Sequence, residues 1–332
     1  MELDNAIKLG KICQRIKSQV KTYLDNYVES VISIISIVKY IENTINNTDY
    51  LNTNNNYNPV AFPVGVSVNN VCAHDTCISD SDNRIFNLET DLIKIDFGVQ
   101  KDGVIIDNAF SYTRNNDYDK LVLASKHMVQ TVIETITADK KIIDIQKVAE
   151  EALNSFNNSN DTNYIAISNL AGHQIGNYQI HADETQLIYP NCIVNKNDFY
   201  RIKGDSLYAI EFFVSNGINQ FPGMESSNNT HFMVSKGKLP KLTKMKIHNS
   251  EFNSIRNIIV KHFGTLAFCQ RFITKWINLD IDTINETLDY FFSLGIISKY
   301  PPVIDSENCV VSQHEETIYI PDNQNIKPLV LS

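Results

Sequence analysis

The sequence predicts an α+β fold, with helices packed on an antiparallel sheet. Three observations carry this. Helical periodicity and β-rich runs come in blocks, helices before strands, twice over. The stretch "LIKIDFGVQKDGVIIDNAF" (92–110) places two apolar runs around the turn Lys101-Asp102-Gly103, a hairpin pattern. The stretch "SLYAIEFFVSNG" is apolar on both faces, as buried central strands are.

Along the chain, residues 3–25 and 27–45 read as amphipathic helices. The Asn-rich tract 43–58 reads as a surface loop. A β-rich block covers 61–113, and helices are predicted over 117–136 and 144–156. A second polar loop, "NNSNDTN" (157–163), precedes another β-rich block over 164–235. Residues 249–297 are helical again, and strands close the chain at 308–320. No repeat is strong enough to prove duplication.

The chain has 332 residues, 43% hydrophobic and 20% charged, as in globular proteins. A net charge of -9 and the lack of any Lys/Arg block argue against nucleic acid as the main partner. The six cysteines form no CxxC pair, which fits reduced thiols in a cytoplasmic protein. The N-terminus lacks the apolar core of a signal peptide, and "VISIISIVKYI" is too short to span a bilayer, so no membrane association is expected.

The hairpin carries a conflict. Asp96 and Asp107 stand where core side chains are expected, and a buried carboxylate is costly unless compensated. A loop at 101–102 sets the two aspartates directly opposite. A loop at 102–103 pairs Asp96 with position 109 and leaves Asp107 diagonal on the same face. Either way the anions converge and require a shared proton or a cation. Glu211 interrupts the central strand on the face of Leu207, Ala209 and Phe213. Glu315 sits in "VVSQHEETIYI", beside an ambiguous Glu316. His173 and His181 lie in "SNLAGHQIGNYQIHADE", where Gly172 and Gly176 permit close backbone approach. His74 lies in "NNVCAHDT". Four carboxylates and an imidazole make a hard ligand set that suits Mn, Co, Fe or Zn. That much negative charge favours two metals over one.

The segments "KIDFGVQKDGVIIDNAF", "NLAGHQIGNYQIHA", "LYAIEFFVSNG", "HFGTLAFCQRF", "GIISKYPPV" and "SQHEETI" resemble type 2 methionine aminopeptidases, in order, over about residues 3–320. The resemblance implies the pita-bread fold of the M24 metallopeptidases: pseudo-two-fold αβ halves around a central antiparallel sheet, in one catalytic domain. A helical insertion at about 232–299 marks type 2. It implies a cytoplasmic, monomeric hydrolase that removes the initiator methionine from nascent proteins when the second residue is small. By the same resemblance Asp96 would hold one of two divalent ions, Asp107 and Glu315 would bridge, and His173 and Glu211 would complete the second site. Glu211 would also accept the water proton. His74 and His181 would contact substrate, and Phe62, His231, Ala267 and Tyr300 would line the methionine pocket. Sensitivity to epoxides of the fumagillin kind, through His74, follows as well.

The chain departs from the family in places. The family's long charge-rich N-terminal extension has no counterpart, and with it goes a seat for ribosome or initiation-factor contact. A transient ribosome contact is the most the resemblance implies. Glu316 stands where the family has His, His314 where it has an aromatic residue, and Asp183 where Gly is common. Prolidase-like enzymes share the metal core, but their separate N-terminal domain has no room before Phe62. A pseudoenzyme would have lost ligands, and all five are present.

Overall fold

The structure, a computed structural model, describes residues 3–51, 57–192, 199–226 and 228–332. Eight strands form the central sheet. They are β1 (Gly65–Val68), β2 (Ile93–Lys101), β3 (Val104–Tyr112), β4 (Ile165–Ala166), β5 (His173–Ile175), β6 (Ser206–Ser215), β7 (Val311–Ile320) and β8 (Leu329–Val330). Their order is β1-β2-β3-β7-β6-β4, with β5 on β6 and β8 on β7, and all pairs are antiparallel.

Helices α1 (Leu3–Asp25) and α2 (Ile34–Asn46) pack beside β2 and β3. Helices α3 (Asp119–Thr135) and α4 (Ile142–Asn160) pack on β6 and β7. Each half is thus two helices on its own strands. Both pairs cover the same side of the sheet. Lys17 Nζ of α1 donates to Asn108 Oδ1, and Ser312 Oγ donates to the Leu121 carbonyl of α3. Asn108 and Ser312 alternate with Asp107 and Gln313, so the other side is free to carry polar chemistry.

Three boundaries differ from the sequence reading. The second helix begins at Ile34, not 27, because Val31–Ser33 is a strand paired with Ile85–Asn87. β-Branched Val31 and Ile32 suit a strand, and that partner lies far along the chain. The predicted polar loops start late: residues 43–46 finish α2 and 157–160 finish α4. Asp161, at φ 54, ends α4 in the left-handed region, and the Asn157 side chain then bonds both backbone groups of Tyr164. Residues 52–56 of the first tract lie outside the described residues.

The insertion is broken rather than continuous. It holds α5 (Leu239–Lys244), α6 (Ser250–Ile258), a π turn (Ile259–Phe263), α7 (Gln270–Thr274) and α8 (Ile281–Ser293). Gly264, at φ 60, ends the π turn, and Phe268 then pairs with Phe232. Arg271 anchors this layer. Its guanidinium is buried, bidentate on Glu42 of α2, and donates to the Cys77 carbonyl. Removing Glu42 would strand the buried Arg271 charge, whereas Glu42 also accepts from Lys275 Nζ.

Candidate metal centre and pocket

The turn settles the hairpin register. Asp102 and Gly103 both have positive φ, 52° and 88°, so the loop is the Asp-Gly pair and Lys101 faces Val104. Asp96 therefore pairs with Ala109, and Asp107 with Gly98. On the next strands Glu315 pairs with Ala109 and with Glu211, while His173 pairs with Ala209. A row of acids thus runs across β2, β3, β7 and β6 on the helix-free face. Two glycines permit this density. A Cβ on Gly172 would stand 2.7 Å from the Ala209 carbonyl, and one on Gly98 would collide with the Phe62 ring at 2.4 Å.

The side chains converge. His173 Nε2 lies 3.7 Å from both Asp107 Oδ2 and Glu211 Oε1. Ligand atoms of Asp107, His173 and Glu315 all lie within 4.8 Å of one another, close enough to hold a metal ion. Asp107, His173 and Glu315 are buried, while Asp96 and Glu211 keep a partial opening to the cleft. Sequence reasoning missed Gln313, whose Nε2 donates to Asp96 Oδ2 and Glu211 Oε2, each at 3.3 Å. Its place two residues before Glu315, on the same strand face, is the signal that could have found it.

The electrostatics fit a cation. Burial raises the Asp96 carboxyl to about 7, against the lowering effect of Gln313. Burial first, then neighbouring carboxylates, raise Asp107, Glu211 and Glu315 well above their usual range. Burial, then His181, holds His173 neutral, the form that ligates. Asp96 Oδ1, Asp107 Oδ1 and Glu315 Oε1 are buried without a hydrogen-bond partner among the described residues. Such orphaned acceptors are what divalent ions satisfy.

Around them is a cleft of about 400 Å³, lined by every residue the sequence singled out: Phe62, His74, Asp96, Asp107, His173, His181, Glu211, His231, Ala267, Tyr300 and Glu315. His181 stacks edge-on to His173 at 4.4 Å, and Tyr300 lies about equally far from His181 and His74, at 6.0 and 5.9 Å. Burial holds all these histidines neutral, His181 at about 4 and His231 at about 3. His231 is tied down, with Nδ1 2.9 Å from Thr230 Oγ1 and Nε2 3.2 Å from the Pro63 carbonyl oxygen. The departures from family pattern are peripheral. His314 and Glu316 face the helices and bond each other at 3.2 Å. Asp183 sits at the cleft rim, paired with Lys203 and capping the turn at Thr185.

No family model matches the chain. Curated relatives do. Methionine aminopeptidase 2 of Encephalitozoon hellem is 28% identical over 97% of this chain and 85% of its own length. Methionine aminopeptidase 2 of Debaryomyces hansenii is 30% identical over 92% of this chain and 70% of its own. The chain belongs to the methionine aminopeptidase 2 family. Some members are longer: that of Paracoccidioides lutzii is 33% identical over 82% of this chain, which spans 58% of its length. Among solved structures, a thermophilic Arx1 matches with a TM-score of 0.75 at 15% identity, over 96% of this chain and 89% of its own. A methionine aminopeptidase from Thermotoga maritima matches at 0.58 and 14%, over 98% and 93%. At such identities the likeness speaks for the fold alone, and that fold is the pita-bread arrangement the family implies. No described helix is long and apolar enough to cross a membrane.

Proposed function

We propose that this methionine aminopeptidase 2 family member removes N-terminal methionine from polypeptides whose second residue is small, using two divalent cations. The observation that carries the reading is the joining of two features in one cleft. The cleft that carries Asp96, Asp107, His173, Glu211 and Glu315 is also lined by Phe62, Ala267 and Tyr300, which would form a recess for an apolar side chain.

Asp96 would hold one ion, His173 and Glu211 the other, and Asp107 and Glu315 would span both. When bound, the cations would neutralise the carboxylates, polarise the scissile carbonyl and make water acidic enough to attack near neutral pH. Glu211, open to the cleft and oriented by Gln313, accepts the water proton and passes it to the leaving amine. His74 and His181, held neutral, donate hydrogen bonds toward the scissile carbonyl as charge builds there. The methionine side chain fills the recess, and the histidines crowd the far side, which disfavours a large second residue.

The test is cleavage of Met-Ala-Ser and Met-Lys-Ser by the purified chain loaded in turn with Mn, Co, Fe and Zn. Release of methionine from Met-Ala-Ser alone is expected with at least one metal. Equal cleavage of both peptides would remove the specificity claim, and no cleavage with any metal would remove the activity.

A further inference from the structure

The outer side of α1 carries a second, separate channel. Between Asp4 and Asp25 the helix has five cations, Lys8, Lys11, Arg15, Lys17 and Lys21, and no carboxylate, within a chain of net charge -9. Lys8, Lys11 and Arg15 lie near one helix face and line a cavity of about 1030 Å³ between α1 and α2. Lys11 and Arg15 are exposed and make no hydrogen bond or ion pair among the described residues. Among the described lining residues Asp49 is the one carboxylate, against three cations, so their sum is positive. Amides of Asn43 and Asn47 complete its α2 wall.

A neighbouring cavity of about 340 Å³ shares Gln19 and Tyr40 with the first. Its character is different. Tyr23 and Tyr40 stack at 4.2 Å, nearly parallel, and Tyr27 stands edge-on to Tyr23 at 5.9 Å. All three rings are only partly buried and line the cavity. From Lys11 to Tyr23 the helix rises ~18 Å. The two cavities meet at Gln19 and Tyr40, where the Tyr40 hydroxyl donates to the Gln19 carbonyl at 3.5 Å. Cations stand at one end, Lys8 also lying over the Tyr50 ring, and an aromatic platform at the other, a distance that a free phosphate does not span. None of the described residues lining this groove lines the candidate metal cleft.

We propose that this groove binds a nucleoside polyphosphate, the phosphate chain on Lys8, Lys11 and Arg15 and the base against Tyr23, Tyr27 and Tyr40. Lysine and arginine on one face match closely spaced phosphates, and aromatic faces accept any base by stacking. The amides of Asn43, Asn47 and Gln19 supply neutral donors between the two ends.

The experiment is isothermal titration of the metal-loaded full chain with magnesium-ATP, inorganic triphosphate and a short single-stranded oligonucleotide, at low and moderate salt. ATP is expected to bind, to weaken with salt, and to bind at least roughly fivefold more tightly than triphosphate, as base stacking supplies. Lys11→Glu with Arg15→Glu should weaken ATP at least tenfold. Lys11→Gln with Arg15→Gln should weaken it less, and serves if the reversal variant does not fold. Tyr27→Ala should weaken ATP and leave triphosphate unchanged. Chelation at the metal cleft would be the same in every variant, so the differences report the groove. Any one of four results overturns the proposal. The first is no ATP binding at millimolar concentration in low salt. The second is binding of ATP by the neutral or reversed variants as tight as that of the parent. The third is triphosphate binding as tight as ATP binding. The fourth is oligonucleotide binding far tighter than ATP binding, which would make the groove a nucleic-acid surface.

Discussion

Asp96 and Asp107 are diagonal neighbours across a hairpin, Asp96 opposite Ala109 and Asp107 opposite Gly98, with both carboxylates on the helix-free face. Glu315 pairs with the same Ala109 and with Glu211, so Asp107 and Glu315 occupy the middle of the acidic row. Groups in the middle touch both ends. Asp107→Ala or Glu315→Ala is therefore expected to lower metal content from two ions to one weakly held ion or none. Elemental analysis after dialysis reads this directly. Two tightly held ions in either variant would sink the bridging assignment.

In the proposed reaction Glu211 both ligates a cation and moves a proton. Its carboxylate lies 3.7 Å from His173 Nε2 and accepts from Gln313. Glu211→Gln should depress turnover by roughly 10²–10⁴-fold while substrate binding changes far less. Metal content must be measured on the same sample. A fully loaded variant with parental turnover would contradict the role.

The raised carboxyls give metal binding a pH dependence. Asp96 at about 7 keeps a proton in the metal-free protein below neutrality, and binding must expel it. Affinity should rise as pH increases through about 7. The same shift has a stability consequence. A carboxyl raised in the folded state holds more protons folded than unfolded between the model value 3.8 and about 7. Its contribution to metal-free stability therefore falls as pH rises through that window. Calorimetry in buffers of different ionisation enthalpy should find more protons released per ion at pH 6 than at pH 8. Equal release at both pH values would contradict the shift.

Ala267 lies in the irregular stretch after Gly264, where Phe268 pairs with Phe232, and it lines the apolar recess. Ala267→Thr places a hydroxyl and an extra methyl in the recess. Overpacking of this kind costs about 1–3 kcal/mol. Methionine-peptide KM should rise, and bulky pocket ligands should lose more than methionine itself. Unchanged binding of those ligands would mean that Ala267 does not form the pocket wall.

Much of this arrangement was readable in the sequence, for a physical reason. A two-residue strand period tells which residues share a face, so the sequence places Asp96 with Asp107 on one face of the hairpin and Glu211 with Leu207, Ala209 and Phe213 on its own strand. The pattern left the hairpin register open between two loops. Turn chemistry decides it, because the tight turn needs positive φ twice, which Asp102 and Gly103 accept more readily than Lys101. Gln313 went unseen because a neutral amide on a strand looks like an exposed residue until its two carboxylate partners are in place. The strand Val31–Ser33 went unseen because its partner, Ile85–Asn87, is distant in sequence. The break at Gly264 fell inside a segment whose overall periodicity is helical.

His74 is expected to be the site's accessible nucleophile. Its backbone lies in the left-handed region at φ 61, which is uncommon for a residue other than glycine, and its carbonyl is held by Thr230 Oγ1. The loop therefore fixes the ring at the cleft wall, 6.0 Å from His231 and 5.9 Å from Tyr300. Burial holds its pKa below the usual histidine value, so the imidazole is neutral and keeps a lone pair. His231 is a poorer candidate, since both its ring nitrogens are engaged. His181 faces His173. A spiro-epoxide seated in the methionine recess would present its strained carbon to His74, and proximity supplies much of the rate. Opening the ring joins the imidazole nitrogen to that carbon and leaves an alkoxide that takes up a proton. Peptide mapping by mass spectrometry should find the adduct on His74. His74→Asn should retain the metals while losing the adduct and most of the turnover. An adduct on His181 or His231, or inhibition without any adduct, would show that a different group faces the recess.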